Sequence, residues 1–294
     1  MAKKHLFTGV GTALVTPMTD SGVDYESFGK LIDWQIESGV QALIVCATTG
    51  EAPTLSDEEH CRAMEFAVKR AAGRVAVIAG TGSNYTDHAV MMSRCAASIG
   101  ADAVLCVTPY YNKPTQTGLV ASFTAIADAI DIPVVLYNVP SRTSVNIEPA
   151  TYGILAEHPN IAAIKEANGN LSKIVETFRI VGDRMDVYSG NDDQAVPIMA
   201  MGGKGVISVL SNVMPRQTQE MCEKFFAGDL AGSFRMQMEF LPLISALFSQ
   251  TNPIPAKAAL ARMGYCRDLL RLPLTPMEEP FRSRLYAEMD RLGL

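Results

Sequence analysis

Lys165 stands at the end of "IAAIK", a run of small and branched apolar residues that otherwise reads as fully buried. An ammonium group at the edge of a dry interior has its charged form disfavoured, which lowers its pKa and leaves more neutral amine to attack a carbonyl. That makes Lys165 a candidate Schiff-base nucleophile. A lysine that snorkels out of the sheet, or that pairs with the adjacent Glu166, is the structural alternative. Imine chemistry also needs a group that shuttles protons to and from the carbinolamine oxygen. Tyr137 and Tyr111 are phenols able to do so without a fixed charge, and Thr48 could supply a hydroxyl link. Either tyrosine by itself reads equally as a core aromatic with a bonded hydroxyl. Thr49 with Gly50 has the composition of an anion-binding turn, in which a hydroxyl and successive N–H groups at a helix N-terminus hold a carboxylate. Arg142 offers a planar donor fork for a second carboxylate, although a surface salt bridge is the common use of an isolated arginine.

These groups must be positioned by the elements around them. Eight short apolar runs, "GTALVTP", "QALIVCATTGE", "RVAVIAGTGSN", "DAVLCVTPYYN", "IPVVLYNVPSR", "IAAIKEANG", "MDVYSGNDD" and "GVISVLSN", each lead into a polar cluster and then into a stretch of helical period. Strands alternating with helices imply a parallel sheet, and near-continuous apolar strands imply burial on both faces. Eight such units point to an α/β fold, a (β/α)8 barrel, with an open doubly wound sheet as its competitor. "DYESFGKLIDWQIESG" and "SDEEHCRAMEFAVKRAAG" read as helices, the second opened by Ser56 as N-cap with Glu59 three residues later. After the eighth run no comparable strand appears, only helical stretches. The expected organisation is a catalytic barrel over 1–224 and a C-terminal helical segment over 225–294.

A barrel of this kind carries its chemistry at the C-terminal ends of its strands. Those ends are polar here: Thr48-Thr49-Gly50-Glu51, Tyr110-Tyr111-Asn112, Tyr137-Asn138 with Arg142 beyond, Lys165-Glu166, and Ser189-Gly190-Asn191-Asp192.

Composition excludes other classes. A net charge of -6, from 31 acidic and 25 basic residues without like-charge blocks, gives no footprint for nucleic acid or for a membrane surface. No apolar run approaches the length of a membrane span. The opening "MAKKHLFTGVGTALV" has lysines before an apolar stretch, as a signal peptide does, but Thr and Gly interrupt it and a first strand is expected instead. Six scattered cysteines form no C-x-x-C and read as reduced thiols in a cytoplasmic protein. His5, His60, His88 and His158 show no metal-ligand spacing, and no phosphate-binding glycine motif succeeds a strand, so neither a metal nor a nucleotide cofactor is expected. The glycines of "MGGKGVIS" precede a strand, at the face opposite a barrel's phosphate site.

Taken together, "ATTGE", "TPYYNKPTQ", "YNVPSRT", "IKEANG", "SGND" and "NPIP", in order from about Thr8 to the C-terminus, resemble the dihydrodipicolinate synthase family of the pyruvate-dependent Schiff-base lyases. The resemblance implies a tetramer built from two tight dimers. It also implies condensation of pyruvate, held as an imine on Lys165, with L-aspartate 4-semialdehyde. It gives Tyr137 a proton relay through Thr48 and Tyr111, with Tyr111 reaching in from a neighbouring subunit. Thr49 would hold the pyruvate carboxylate, Arg142 that of the semialdehyde, and backbone near Gly190 and Ile207 would line the lysine. Two departures stand out. Ala47 replaces the family's usual Gly, a tolerable change of one methyl. His88 stands where lysine-inhibited members carry an acid, while His60, Asn84 and Tyr110 match that pocket, so weak or absent inhibition by lysine is expected. Sugar-acid aldolases of the same superfamily are disfavoured by Arg142, because a sugar end does not require a guanidinium. A non-catalytic barrel that binds a keto acid would have no need of the amine.

Overall fold

A computed structural model describes residues 5–294. Lys3 and Lys4, which precede the first apolar stretch, lie outside them. Eight strands form: β1 Gly9–Ala13, β2 Ala42–Val45, β3 Ala76–Gly80, β4 Ala103–Val107, β5 Val134–Asn138, β6 Ile161–Glu166, β7 Asp186–Ser189 and β8 Gly205–Ser208. Neighbours in sequence pair in parallel, and β8 returns to β1 with Gly9 opposite Gly205, so the sheet is a closed barrel and the open alternative is excluded. Closure at that seam requires glycine, since a Cβ on Gly205 would run into the Gly9 carbonyl.

The helices outside are α1 Tyr25–Glu37, α2 Asp57–Ala71, α3 Thr86–Ser98, α4 Gln116–Asp128, α5 Pro149–Leu155, α6 Leu171–Val181, α7 Ala195–Ala200 and α8 Pro215–Phe226. Each comes after its strand, as a parallel crossover demands. The capping box at Ser56 and Glu59 forms as expected, and the Glu59 carboxylate is also gripped by the Arg271 guanidinium at 2.6 and 2.8 Å. Three further helices, α9 Leu230–Leu247, α10 Ile254–Arg262 and α11 Phe281–Leu292, make the C-terminal extension.

The core has two layers, because alternate residues of each strand face opposite ways. Ala42, Ile44, Ile78, Val135, Ala163 and Ile207 fill the barrel interior, while Leu43, Val45, Val77, Leu136, Ile164 and Val206 pack outward against the helices. Phe7 stacks on Tyr188 with ring centroids 4.2 Å apart inside that inner group.

Two features depart from expectation. A short hairpin, Met18–Thr19 with Gly22–Val23, precedes α1; its strands are too brief to leave a periodic pattern. The expectation of six free thiols is corrected, because Cys61 on α2 and Cys95 on α3 are joined as a disulfide, their Cα atoms 6.4 Å apart. The cause is tertiary: adjacent helices bring together residues separated by 34 positions, a spacing with no local signal. Cys46, Cys106, Cys222 and Cys266 are free.

Candidate active site

Strand parity decides where Lys165 points. Its neighbours two places away, Ala163 and Ala167, belong to the inner group of the barrel, while Ile164 packs outward. Lys165 therefore points into the barrel mouth and Glu166 into the helical layer. Glu166 accepts hydrogen bonds there from the Tyr152 hydroxyl at 2.9 Å, Asn138 Nδ2 at 3.0 Å and the Asn168 N–H at 2.9 Å. Burial raises its pKa to about 7 against the pull of these donors. The pairing of Lys165 with Glu166, open at the level of sequence, does not occur.

Lys165 is 5% exposed. Burial lowers its pKa to about 7, with Arg142 adding to the effect and the nearby Asp192 carboxylate opposing it. Tyr137 is its partner across the β5–β6 ladder, and Lys165 Nζ lies 4.3 Å from the centre of the Tyr137 ring. Burial raises the Tyr137 pKa, with Arg142 working the other way, so the phenol stays protonated at neutral pH. Gly190 packs along the lysine stem: its N–H donates to the Glu166 carbonyl at 2.7 Å, and a Cβ there would sit 3.2 Å from Lys165 Cε. Ile207 is fully buried in the same inner group as Tyr137.

The turn after β2 runs between two residues with left-handed backbone, Cys46 at φ 52° and Glu51 at φ 56°. Glu51 N–H bonds back to the Thr48 carbonyl and Ala52 N–H to the Ala47 carbonyl, while Thr16 Oγ donates to the Gly50 carbonyl at 2.8 Å. The chain then makes one 3-10 turn, Ala52–Thr54, in place of the expected helix N-terminus. Thr49 is buried, and Thr48 borders the mouth.

Thr48, Tyr137 and Arg142 line one cavity of about 480 Å³, which continues to His60, His88 and Tyr110. Arg142 sits on the single turn Pro140–Thr143 beyond β5. Tyr111 is not brought to this cavity within one chain: it is 91% exposed, with φ 70°. At the far end, His88 Nε2 is bonded to Asp57 Oδ1 at 2.9 Å, so the carboxylate present there is already engaged. Among the described residues, no group of three or more His, Cys, Asp and Glu side chains is placed to hold a metal ion.

Two residues gain importance only in three dimensions. Asp192, placed by sequence merely at a strand end, is buried, accepts the Val209 and Leu210 N–H groups at 3.0 Å each, and acts electrostatically on Lys165. Asn252 reaches Thr49 from the C-terminal extension. Both fall in quoted motifs, "SGND" and "NPIP", but the motifs assign them no role, since each contact joins distant segments.

The arrangement has the parts of an imine-forming site: a desolvated amine, a protonated phenol against it and a guanidinium at the rim. Comparison with known proteins gives the family. Residues 6–291 match the model of the Dihydrodipicolinate synthetase family. A 4-hydroxy-tetrahydrodipicolinate synthase of Lachnoclostridium phytofermentans is 52% identical, covering 98% of this chain and 99% of the relative. One of Thermoanaerobacter sp. is 50% identical, with 98% of each chain covered. The crystal structure of dihydrodipicolinate synthase from Aquifex aeolicus superposes with a TM-score of 0.96 at 45% identity, covering 98% of this chain and 99% of that one. The chain belongs to the dihydrodipicolinate synthetase family of lyases.

Proposed function

We propose that the chain is a 4-hydroxy-tetrahydrodipicolinate synthase that condenses pyruvate with L-aspartate 4-semialdehyde. The observation that carries this reading is Lys165, a buried amine with its pKa lowered to about 7, whose Nζ lies 4.3 Å from the ring of Tyr137, which lines a cavity together with Arg142. The neutral amine adds to the pyruvate ketone, and Tyr137 supplies the proton with which the carbinolamine oxygen leaves as water. Loss of a methyl proton from the imine gives an enamine, whose carbon attacks the aldehyde. The substrate amine then displaces Lys165 from the imine carbon, closing the ring and freeing the enzyme. Thr49 and Gly50 hold the keto-acid carboxylate, Arg142 takes the second carboxylate, Thr48 links the hydroxyls, and Gly190 and Ile207 shape the wall around the lysine.

The test compares pyruvate consumption with L-aspartate 4-semialdehyde and cleavage of N-acetylneuraminate. Turnover with the semialdehyde alone is expected; cleavage of the sugar acid would mean that Arg142 has been misassigned.

The same proposal makes the protein a homotetramer, a dimer of dimers, in the cytoplasm. Tyr111, exposed and held in left-handed backbone, is suited to insertion into a neighbour's mouth. A separate apolar stripe on α9, Leu230, Phe234 and Met238, lies exposed, as do Leu171 and Val175 on α6. Exposed apolar patches of this kind mark interfaces. No helix among the described residues is long and apolar enough to cross a membrane.

Lysine is expected to inhibit weakly. His88 offers an imidazole where an α-ammonium needs an anion, and Asp57 is occupied by His88. Half-inhibition of the initial rate is therefore expected only above about 1 mM, the loss of a charge-assisted contact setting the scale. Half-inhibition below about 1 mM would contradict it.

A further inference from the structure

The C-terminal extension grips the turn at the end of β2. Asn252 Nδ2 donates to Thr49 Oγ1 at 2.9 Å, with both side chains buried. Lys257 of α10 forms a fully buried ion pair with Glu51 and also donates to the Leu269 carbonyl at 2.7 Å. The Arg271 N–H donates to Glu51 Oε2 at 3.2 Å, and the Arg271 guanidinium to the Thr54 carbonyl at 2.7 Å. Thus Thr49, Glu51 and Thr54 are all held by residues more than two hundred positions away. A turn bounded by two left-handed non-glycine residues is one that its surroundings must enforce.

The chemistry at Thr49 is directional. A hydroxyl has one hydrogen to donate and lone pairs that accept. Asn252 fills an acceptor site, and among the described residues the Thr49 hydrogen has no protein acceptor. It is left to donate to an anion at the turn. Asn252 Oδ1 is itself buried without a hydrogen-bond partner, so the amide is aligned by this one contact with Thr49.

We propose that Asn252 is a positioning residue for the keto acid: by donating to Thr49 Oγ1 it orients the threonine hydroxyl to donate to the substrate carboxylate. The extension thereby sets affinity for pyruvate without touching it. This rests on the reading of Thr49 as the carboxylate holder. Asn252 and Thr49 should then act as one unit, and their effects should not multiply.

The experiment is a double-mutant cycle on the full chain, using Asn252→Leu, Thr49→Val and the pair. It reads the pyruvate concentration that half-saturates borohydride trapping of the Lys165 imine, so no aldehyde is needed. Asn252→Leu is expected to raise that concentration about threefold to tenfold, the scale of one lost hydrogen bond. Thr49→Val is expected to raise it at least as much, and the pair no further than Thr49→Val alone. Should Asn252→Leu not fold, Asn252→Asp keeps the size but accepts only, drawing the Thr49 hydrogen onto itself, and should raise the concentration as well. Equal factors for Asn252→Leu with and without the Thr49 hydroxyl would overturn the proposal. So would a fall in Tm with unchanged pyruvate half-saturation, which marks a purely structural role. If Thr49→Val leaves half-saturation unchanged, the carboxylate reading and this inference fall together. Absence of any trapping in the wild type would instead overturn the imine reaction itself.

Discussion

Lys165→Ala is expected to abolish turnover and borohydride trapping, a loss on the order of 10⁴-fold or more, since no lysine lines the cavity itself and Lys165, against the ring of the cavity-lining Tyr137, is the amine placed to form the imine. A pure binder of keto acids would retain pyruvate affinity in this variant, so equilibrium binding separates the two. In the wild type, the rate of trapping at low pyruvate should rise between about pH 6 and 8 and then level, because the neutral amine is the reactant and its pKa is about 7. A rate that climbs steadily to pH 10 would show an ordinary, hydrated lysine. The same shift bears on stability. The folded pKa lies below the ordinary value of 10.5, so from about pH 7 up to 10.5 the unfolded chain binds more protons than the folded one. Stability from this site therefore rises with pH across that window, and at pH 7 the buried amine is a cost. Lys165→Met, which keeps the volume and removes the charge, should raise Tm by roughly 5 °C while leaving the enzyme dead. Melting curves and rates on one preparation check both halves.

Tyr137→Phe is the second large effect. It removes one oxygen and keeps the ring that lies 4.3 Å from Lys165 Nζ. The hydroxyl enters no protein hydrogen bond among the described residues, its ionisation being governed by burial and by Arg142. Stability should therefore change little. A positioned acid–base group contributes about 10²- to 10⁴-fold, and kcat should fall into that range. The imine should still form, more slowly, because the amine is intact; mass spectrometry after borohydride should find Lys165 modified at long times. A kcat within about threefold of wild type would remove Tyr137 from the proton relay and leave Thr48 and a neighbour's Tyr111 as the remaining hydroxyls.

Much of the candidate site was legible because barrel strands are short and their ends are polar. Lys165, Tyr137 and Gly190 each close an apolar run at the C-terminal end of a strand, and a lysine there is conspicuous. Parity could have separated Lys165 from Glu166, since adjacent residues on a strand face opposite ways. The same rule could not say which of the two faced inward, because both layers of this core are apolar and buried. Tyr111 was singled out by type alone; within one chain it stands in solvent, away from the cavity.

The sequence by itself determined the alternation of strands and helices, the eight units and the chemistry at their ends, for these rest on local periodicity and residue type. Tertiary structure alone decided closure, where Gly9 meets Gly205, and the burial that lowers the Lys165 pKa. It also joined Cys61 to Cys95 and brought Asn252 against Thr49. Those contacts join segments with no shared local pattern, and desolvation depends on everything packed around a group, which no window along the chain contains.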